Sequence, residues 1–218
     1  MKKGFTLAEV LITLAIVGVV AAVSLPTLNT NVQKQGLSAQ ISKFCNQLSK
    51  GVQMYLVDNE LDEIPGSLDM DAFVRKYFKI TQKCTQDDNC IAATYRTLNS
   101  ETTYNRETMF GSSFKGDVYM LADGAVMALM FYGAPDNSID VSVDVNGNKG
   151  PNMIGYDVQS FTVYRDGSLD VINTTDRLGD SDSLRETIDW HFENCKSGDS
   201  PYGACFGHLL RNGFRFDY

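Results

Sequence analysis

The chain has 218 residues, with 19 basic against 27 acidic side chains and a formal charge of −8. That balance, with no basic patch interleaved with aromatics, argues against direct binding of nucleic-acid phosphates. The two histidines sit in no recognised motif, and no Gly-x-Ser-x-Gly, His-Glu-x-x-His or phosphate-loop pattern occurs, so no enzyme is expected.

The first 26 residues, MKKGFTLAEVLITLAIVGVVAAVSLP, carry the strongest signal. Lys2 and Lys3 precede an apolar run, and no basic residue follows until Lys34, which places the N-terminus in the cytoplasm. Phe5 to Leu25 spans about 30 Å as a helix, the thickness of a bilayer core. Glu9 interrupts the run. A carboxylate in hydrocarbon costs roughly 2.5–3.5 kcal/mol, so Glu9 marks a functional position. It lies in the first turns of the helix, where the macrodipole favours an anion. A cleaved secretory signal has a shorter apolar core, and a plain anchor has no use for the acid.

Gly4-Phe5-Thr6-Leu7-Ala8-Glu9, behind a short basic leader, resembles the processing site of type IV pilins and type II secretion pseudopilins. The resemblance implies that a prepilin peptidase cleaves between Gly4 and Phe5 and that the new Phe5 amine is N-methylated. It also implies that Glu9 pairs with that amine on a neighbouring subunit, which sets the register of a filament and leaves neither charge alone among apolar helices.

Pro26 falls where the membrane run ends, and a proline inside a helix kinks or breaks it. An amphipathic pattern resumes beyond it, with Leu37, Ile41, Phe44, Cys45, Leu48, Val52, Tyr55 and Leu56 at spacings of three and four. The pattern predicts one long bent helix from about Phe5 to about Asp58. The expected organisation is therefore a leader (residues 1–4), a membrane and polymerisation helix (5–26), its amphipathic continuation (27–58) and an extracytoplasmic head (59–218). Removing Lys2 and Lys3 leaves 17 basic against 27 acidic residues, a charge of −10 for the mature chain.

In the head, Asp69 or Ser67 caps a short helix over Asp71–Phe78. The segment Ile91–Phe114 is polar and carries no assignable pattern. Asp117–Ala122 and Ala125–Tyr132 flank Asp123-Gly124, and Ser160–Arg165 and Ser168–Ile172 flank Asp166-Gly167. Each Asp-Gly reads as a two-residue hairpin with both central residues at positive φ. Ile139–Val145 alternates strictly and reads as a half-buried strand. Ser181 or Ser183 caps a helix to about Asn194, with Leu184, Ile188 and Phe192 on one face. A long N-terminal α-helix on an antiparallel sheet of about five strands, with variable loops, is an α+β arrangement that resembles the pilin fold.

Cys84 and Cys90 enclose a polar turn, and Cys195 and Cys205 enclose KSGDSPYGA. Both pairs read as disulfides in an oxidising compartment, since neither has the close spacing of a zinc knuckle. Cys45, on the buried stripe, reads as a packed free thiol. His191, near Glu193 and Cys195, reads as a helical neighbour rather than a catalytic group.

The segment from Asp144 to Asp157, DVNGNKGPNMIGYD, resembles a D-x-N-G-x-K-G-P-N-x-x-G-x-D stretch of many bacterial pilin-like secretion proteins. Asp144, Asn146, Asn148, Asn152 and Asp157 offer the oxygen donors that calcium takes, and major pseudopilins use calcium in a loop beside their sheet. Lys149 opposes a cation, and the same residue types build any solvated turn. Calcium site and inert turn both remain open at this level.

These readings converge on a structural subunit of a type II secretion pseudopilus or a type IV pilus, with the head periplasmic or extracellular. Its partners are the inner membrane, copies of itself and other pilin-like subunits, a prepilin peptidase and an assembly platform. The alternative is a membrane-tethered ligand-binding or adhesion module that never polymerises.

Overall fold

The computed structural model describes residues 6–85, 89–110, 117–132, 137–171, 182–199 and 205–218. Helix α1 covers Leu7–Asp58 without interruption, so the backbone stays helical through Pro26 where a break was one expectation. The chain divides into two units, Met1–Gly36 and Leu37–Tyr218, each considered by itself.

The second unit is built on a six-stranded antiparallel sheet in the order β1-β4-β5-β6-β7-β8. Its strands are β1 (Ile80–Cys84), β4 (Asp117–Leu121), β5 (Val126–Tyr132), β6 (Ser138–Asp144), β7 (Val158–Val163) and β8 (Leu169–Asp170). One face of the sheet meets α1. The stripe Leu37, Ile41, Phe44, Cys45, Leu48, Val52 and Leu56 is buried against Tyr119, Met127, Leu129, Val141, Val143, Phe161 and Val163. These strand residues alternate with others that point to the opposite face, as the pleat requires. Phe161 is stacked on Phe206 at 4.2 Å and meets Phe44 edge-on at 6.4 Å. Helix α5 (Cys205–Arg211), which carries Phe206, has no counterpart among the expected elements.

The unassigned polar segment holds β2 (Thr94–Arg96), β3 (Thr103–Asn105) and the short α3 (Arg106–Phe110). It supplies Ile91, Tyr95, Met109 and Phe110 to a second apolar cluster with Val126, Ala128 and Val158. This cover corrects the reading of residues 139–145 as half-buried: every residue of β6 is buried. Two of its polar side chains are satisfied across the sheet. Thr162 Oγ1 donates to Asp140 Oδ1 at 2.6 Å, and the Ser142 and Ser160 hydroxyls share a bond of 2.9 Å.

The hairpin turns differ from expectation in the same way twice. Leu121 N donates to the Ala125 carbonyl and Gly124 N to the Leu121 carbonyl, while Tyr164, Gly167 and Ser168 repeat the arrangement. Only Gly124 and Gly167 have positive φ, at 92° and 80°. Both are three-residue loops with glycine in the left-handed position, rather than two-residue turns.

Helix α2 (Met70–Tyr77) begins at Asp69, whose carboxylate accepts from Ala72 N at 3.0 Å. Its Asp71 ties it to the sheet, accepting from Arg75 Nε at 2.6 Å, Tyr119 Oη at 3.0 Å and Lys83 Nζ at 3.2 Å. The Arg75 guanidinium first, then the Tyr119 hydroxyl, lower the Asp71 pKa to about 2. A depressed acid contributes stability above its unfolded value that is lost as pH falls through the folded one. Asp71→Asn is expected to lower Tm at pH 7, and the gap to wild type should close as pH falls from 4 toward 2 in thermal melts.

Candidate functional site

Thr6 stands as N-cap to α1, and Glu9 is the third residue of the helix. Thr6 N and Thr6 Oγ1 each donate to Glu9 Oε2 at 2.8 Å, and Glu9 N donates back to Thr6 Oγ1 at 3.2 Å. This is a capping box, in which two otherwise orphaned donors at the helix start are satisfied reciprocally. The Thr-x-x-Glu spacing is the sequence signature of such a box, a role for Glu9 beyond the macrodipole. Glu9 Oε1 makes no hydrogen bond among the described residues, so one oxygen is left for a further donor. Gly4 and Phe5, the expected cleavage and methylation positions, lie outside the described residues.

From Leu7 to Ser24 the helix has a mean hydropathy of 2.4, and none of that stretch is buried within the protein. By length and composition it is able to cross a membrane. Thr13 Oγ1 donates to the Val10 carbonyl and Ser24 Oγ to the Val20 carbonyl, so both hydroxyls are spent on the helix's own backbone. Glu9 is then the single charged group on a surface of exposed Leu, Ile and Val.

The loop from Asp144 to Asp157 is held by its two acids. Asp157 accepts from Asn152 N and Met153 N, both at 2.7 Å, one on each carboxylate oxygen. Asp144 accepts from Asn146 N and from Tyr95 Oη, both at 3.2 Å. Arg96 in β2 is stitched to the loop through Asn152 and Ile154 backbone bonds. Two glycines permit close approaches. A Cβ on Gly147 would lie 2.8 Å from the Gly124 carbonyl, and one on Gly155 3.0 Å from both Cys195 and Cys205 Sγ.

Among the proposed metal-binding residues, the structure brings together Asp144, Asn146, Asn152 and Asp157. Asn148 is exposed and bonds to none of them. Burial, then the charge of Asp157, holds the Asp144 pKa well above the usual carboxylate range. Neither acid has a basic partner among the described residues. The Oδ1 atoms of Asn146 and Asn152 are buried without a donor, as a cation's ligands would be.

Both expected disulfides are present, Cys84–Cys90 and Cys195–Cys205. Cys45 is a buried free thiol whose pKa burial pushes up to about 12, which removes it from thiolate chemistry. His191 lies beside a cysteine already oxidised, and burial lowers its pKa.

Residues 1–25 match the prokaryotic N-terminal methylation motif. The chain thus carries a prepilin-type cleavage and methylation motif, consistent with the type IV pilin and pseudopilin family. No curated protein and no solved structure matches the chain. The motif ends one residue beyond Ser24, so it coincides with the unburied apolar stretch. The long helix followed by the antiparallel sheet gives the α+β architecture of a pilin-like fold.

Asp157→Ala would strip two partly buried backbone N–H groups, those of Asn152 and Met153, of their acceptor. We expect a loss of about 2–4 kcal/mol in denaturant unfolding, the lower part of the range set by roughly 1–3 kcal/mol for each unsatisfied group because both groups keep some access to water, with Asp157→Asn costing less.

Proposed function

We propose that this protein is a structural, non-catalytic subunit of a type II secretion pseudopilus or a type IV pilus. One observation carries the reading: an unburied apolar helix whose single charge is a capped carboxylate with one free oxygen. Within a membrane such a helix is tolerated, and packed among copies of itself it acquires partners for both its apolar surface and Glu9. Cleavage between Gly4 and Phe5 by a prepilin peptidase would create a methylated amine beside the capping box. The free Glu9 oxygen then accepts from that amine on the neighbouring subunit, while Thr6 keeps the other oxygen aimed. The head lies on the periplasmic or extracellular side, where disulfides persist. An assembly platform in the inner membrane drives extension.

Mass spectrometry of the native chain should show a methylated Phe5 at the N-terminus. Glu9→Ala should leave membrane insertion intact and reduce polymer in sheared fractions by tenfold or more. A full-length chain with an intact leader and normal activity would instead support a tethered, non-polymerising module.

Calcium is proposed as the ligand of the Asp144–Asp157 loop, supported by two carboxylates that have no basic partner among the described residues and by the orphaned amide oxygens of Asn146 and Asn152. Calcium added to chelator-stripped protein should raise Tm at pH 7, and the same addition to Asp144→Asn should not. An unmoved wild-type Tm would leave the loop as a hydrogen-bonded turn.

A further inference from the structure

The head carries two exposed surfaces of opposite charge, one toward each edge of its sheet. The first is a groove of about 390 Å³ between α1 and the start of β1, lined by Lys43, Lys50, Met54, Phe78 and Lys79, with Asp123 at its rim. Its floor exists because Gly51 lacks a side chain. A Cβ there would come within 2.7 Å of the Phe78 ring. On α1, Lys43, Gln47, Lys50, Met54 and Val57 recur at spacings of three and four, the outward stripe opposite the buried one. Met54 is 46% and Val57 77% exposed, an apolar centre with no cover. Lys43 is paired with Asp123 at 2.7 Å. Lys50 and Lys79 have no acidic partner among the described residues.

The second surface is the outer face of α4 (Asp182–Ser197). Glu186, Asp189, Trp190 and Glu193 fall on one side of it and are all exposed. Trp190, the single tryptophan of the chain, is 64% exposed. Glu193 is paired with Lys196 at 2.6 Å, whereas Glu186 and Asp189 have no basic partner among the described residues. Each surface therefore has an apolar anchor flanked by two unpaired charges, and the signs are opposite.

Helix α4 packs on α5, which packs on β7 and β8, while the groove borders β1 and β4. These are opposite edges of a six-stranded sheet, roughly 24 Å apart at about 4.8 Å per strand. One head cannot close the two surfaces on each other.

We propose that the Lys50–Met54–Lys79 groove of one subunit receives the Glu186–Asp189–Trp190 face of a second copy. The inference rests on the filament reading and assigns its head-to-head contact. Tryptophan and methionine are enriched at interface centres, and opposed charges set register and suppress wrong partners. A contact that joins two different patches is heterologous, and such contacts propagate into open helical assemblies when the rotation does not close. That is the symmetry a filament of one subunit requires.

The test uses the full-length chain in cells that assemble it. Lys50→Glu with Lys79→Glu is expected to reduce polymer at least tenfold, as is Glu186→Lys with Asp189→Lys. The four substitutions together should restore polymer to within twofold of wild type, because the charges are exchanged. Trp190→Ala should also reduce polymer, with an unchanged Tm for the head. Full polymer from either two-site variant overturns the contact, as does a properly folded four-site variant that fails to assemble. Polymer that is lost in Glu9→Ala yet indifferent to every head substitution overturns the contact and leaves the filament reading standing. An unprocessed wild-type chain that forms no polymer overturns both.

Discussion

Burial of the Leu37–Leu56 stripe of α1 against one face of the antiparallel sheet is the constraint on which the head depends. The sheet presents Met127, Leu129, Val141, Val143, Phe161 and their neighbours to that helix, the longest of the described elements. Removing water from these side chains contributes roughly 1.5–3 kcal/mol apiece. Helices α2 and α5 add Phe73, Val74, Phe206 and Leu209 to the same core, and the segment around β2, β3 and α3 packs on the reverse face.

The same helix has a different physical character in its first unit. From Leu7 to Ser24 none of it is buried within the protein, which leaves an apolar surface of the kind that hydrocarbon or other helices accept. In such surroundings a lone carboxylate is tolerated only when its lone pairs are occupied. The Thr6–Glu9 capping box occupies one oxygen within the chain and leaves the other without a partner among the described residues. A residue that looks like a defect in a membrane span is therefore also what secures the start of the helix.

The acidic loop between β6 and β7 joins parts of the head that are distant in sequence. Asp157 organises the loop backbone, Gly147 admits the β4–β5 turn, and Gly155 admits the Cys195–Cys205 disulfide. Its glycines and acids were legible as a turn or a cation loop. Their purpose was not, because it depends on groups contributed by β2, β5 and α4. The strand at 139–145 shows the same limit. Alternation reported one apolar face correctly, but whether the polar face meets water depended on the fold of residues 91–110. That stretch has no periodicity of its own, and Tyr95 and Phe110 find their burial only against the sheet.

Period, charge and motif determined a great deal without any coordinates. They located the prepilin-type motif, the amphipathic continuation of α1, both disulfide pairs, the free Cys45 and the α+β class. These are local properties, set by residues within a few turns or a short loop of one another. Only the tertiary structure decided that β6 is buried on both faces, that the Asp-Gly turns are three residues long, that α5 carries core aromatics, and that opposite charges stand at opposite sheet edges. The turn length is a choice between two local loops that the Asp-Gly pair fits equally well; the others depend on contacts between segments far apart in the chain, and hydrophobic burial is non-directional, so the pattern of a segment does not name the partner that will cover it.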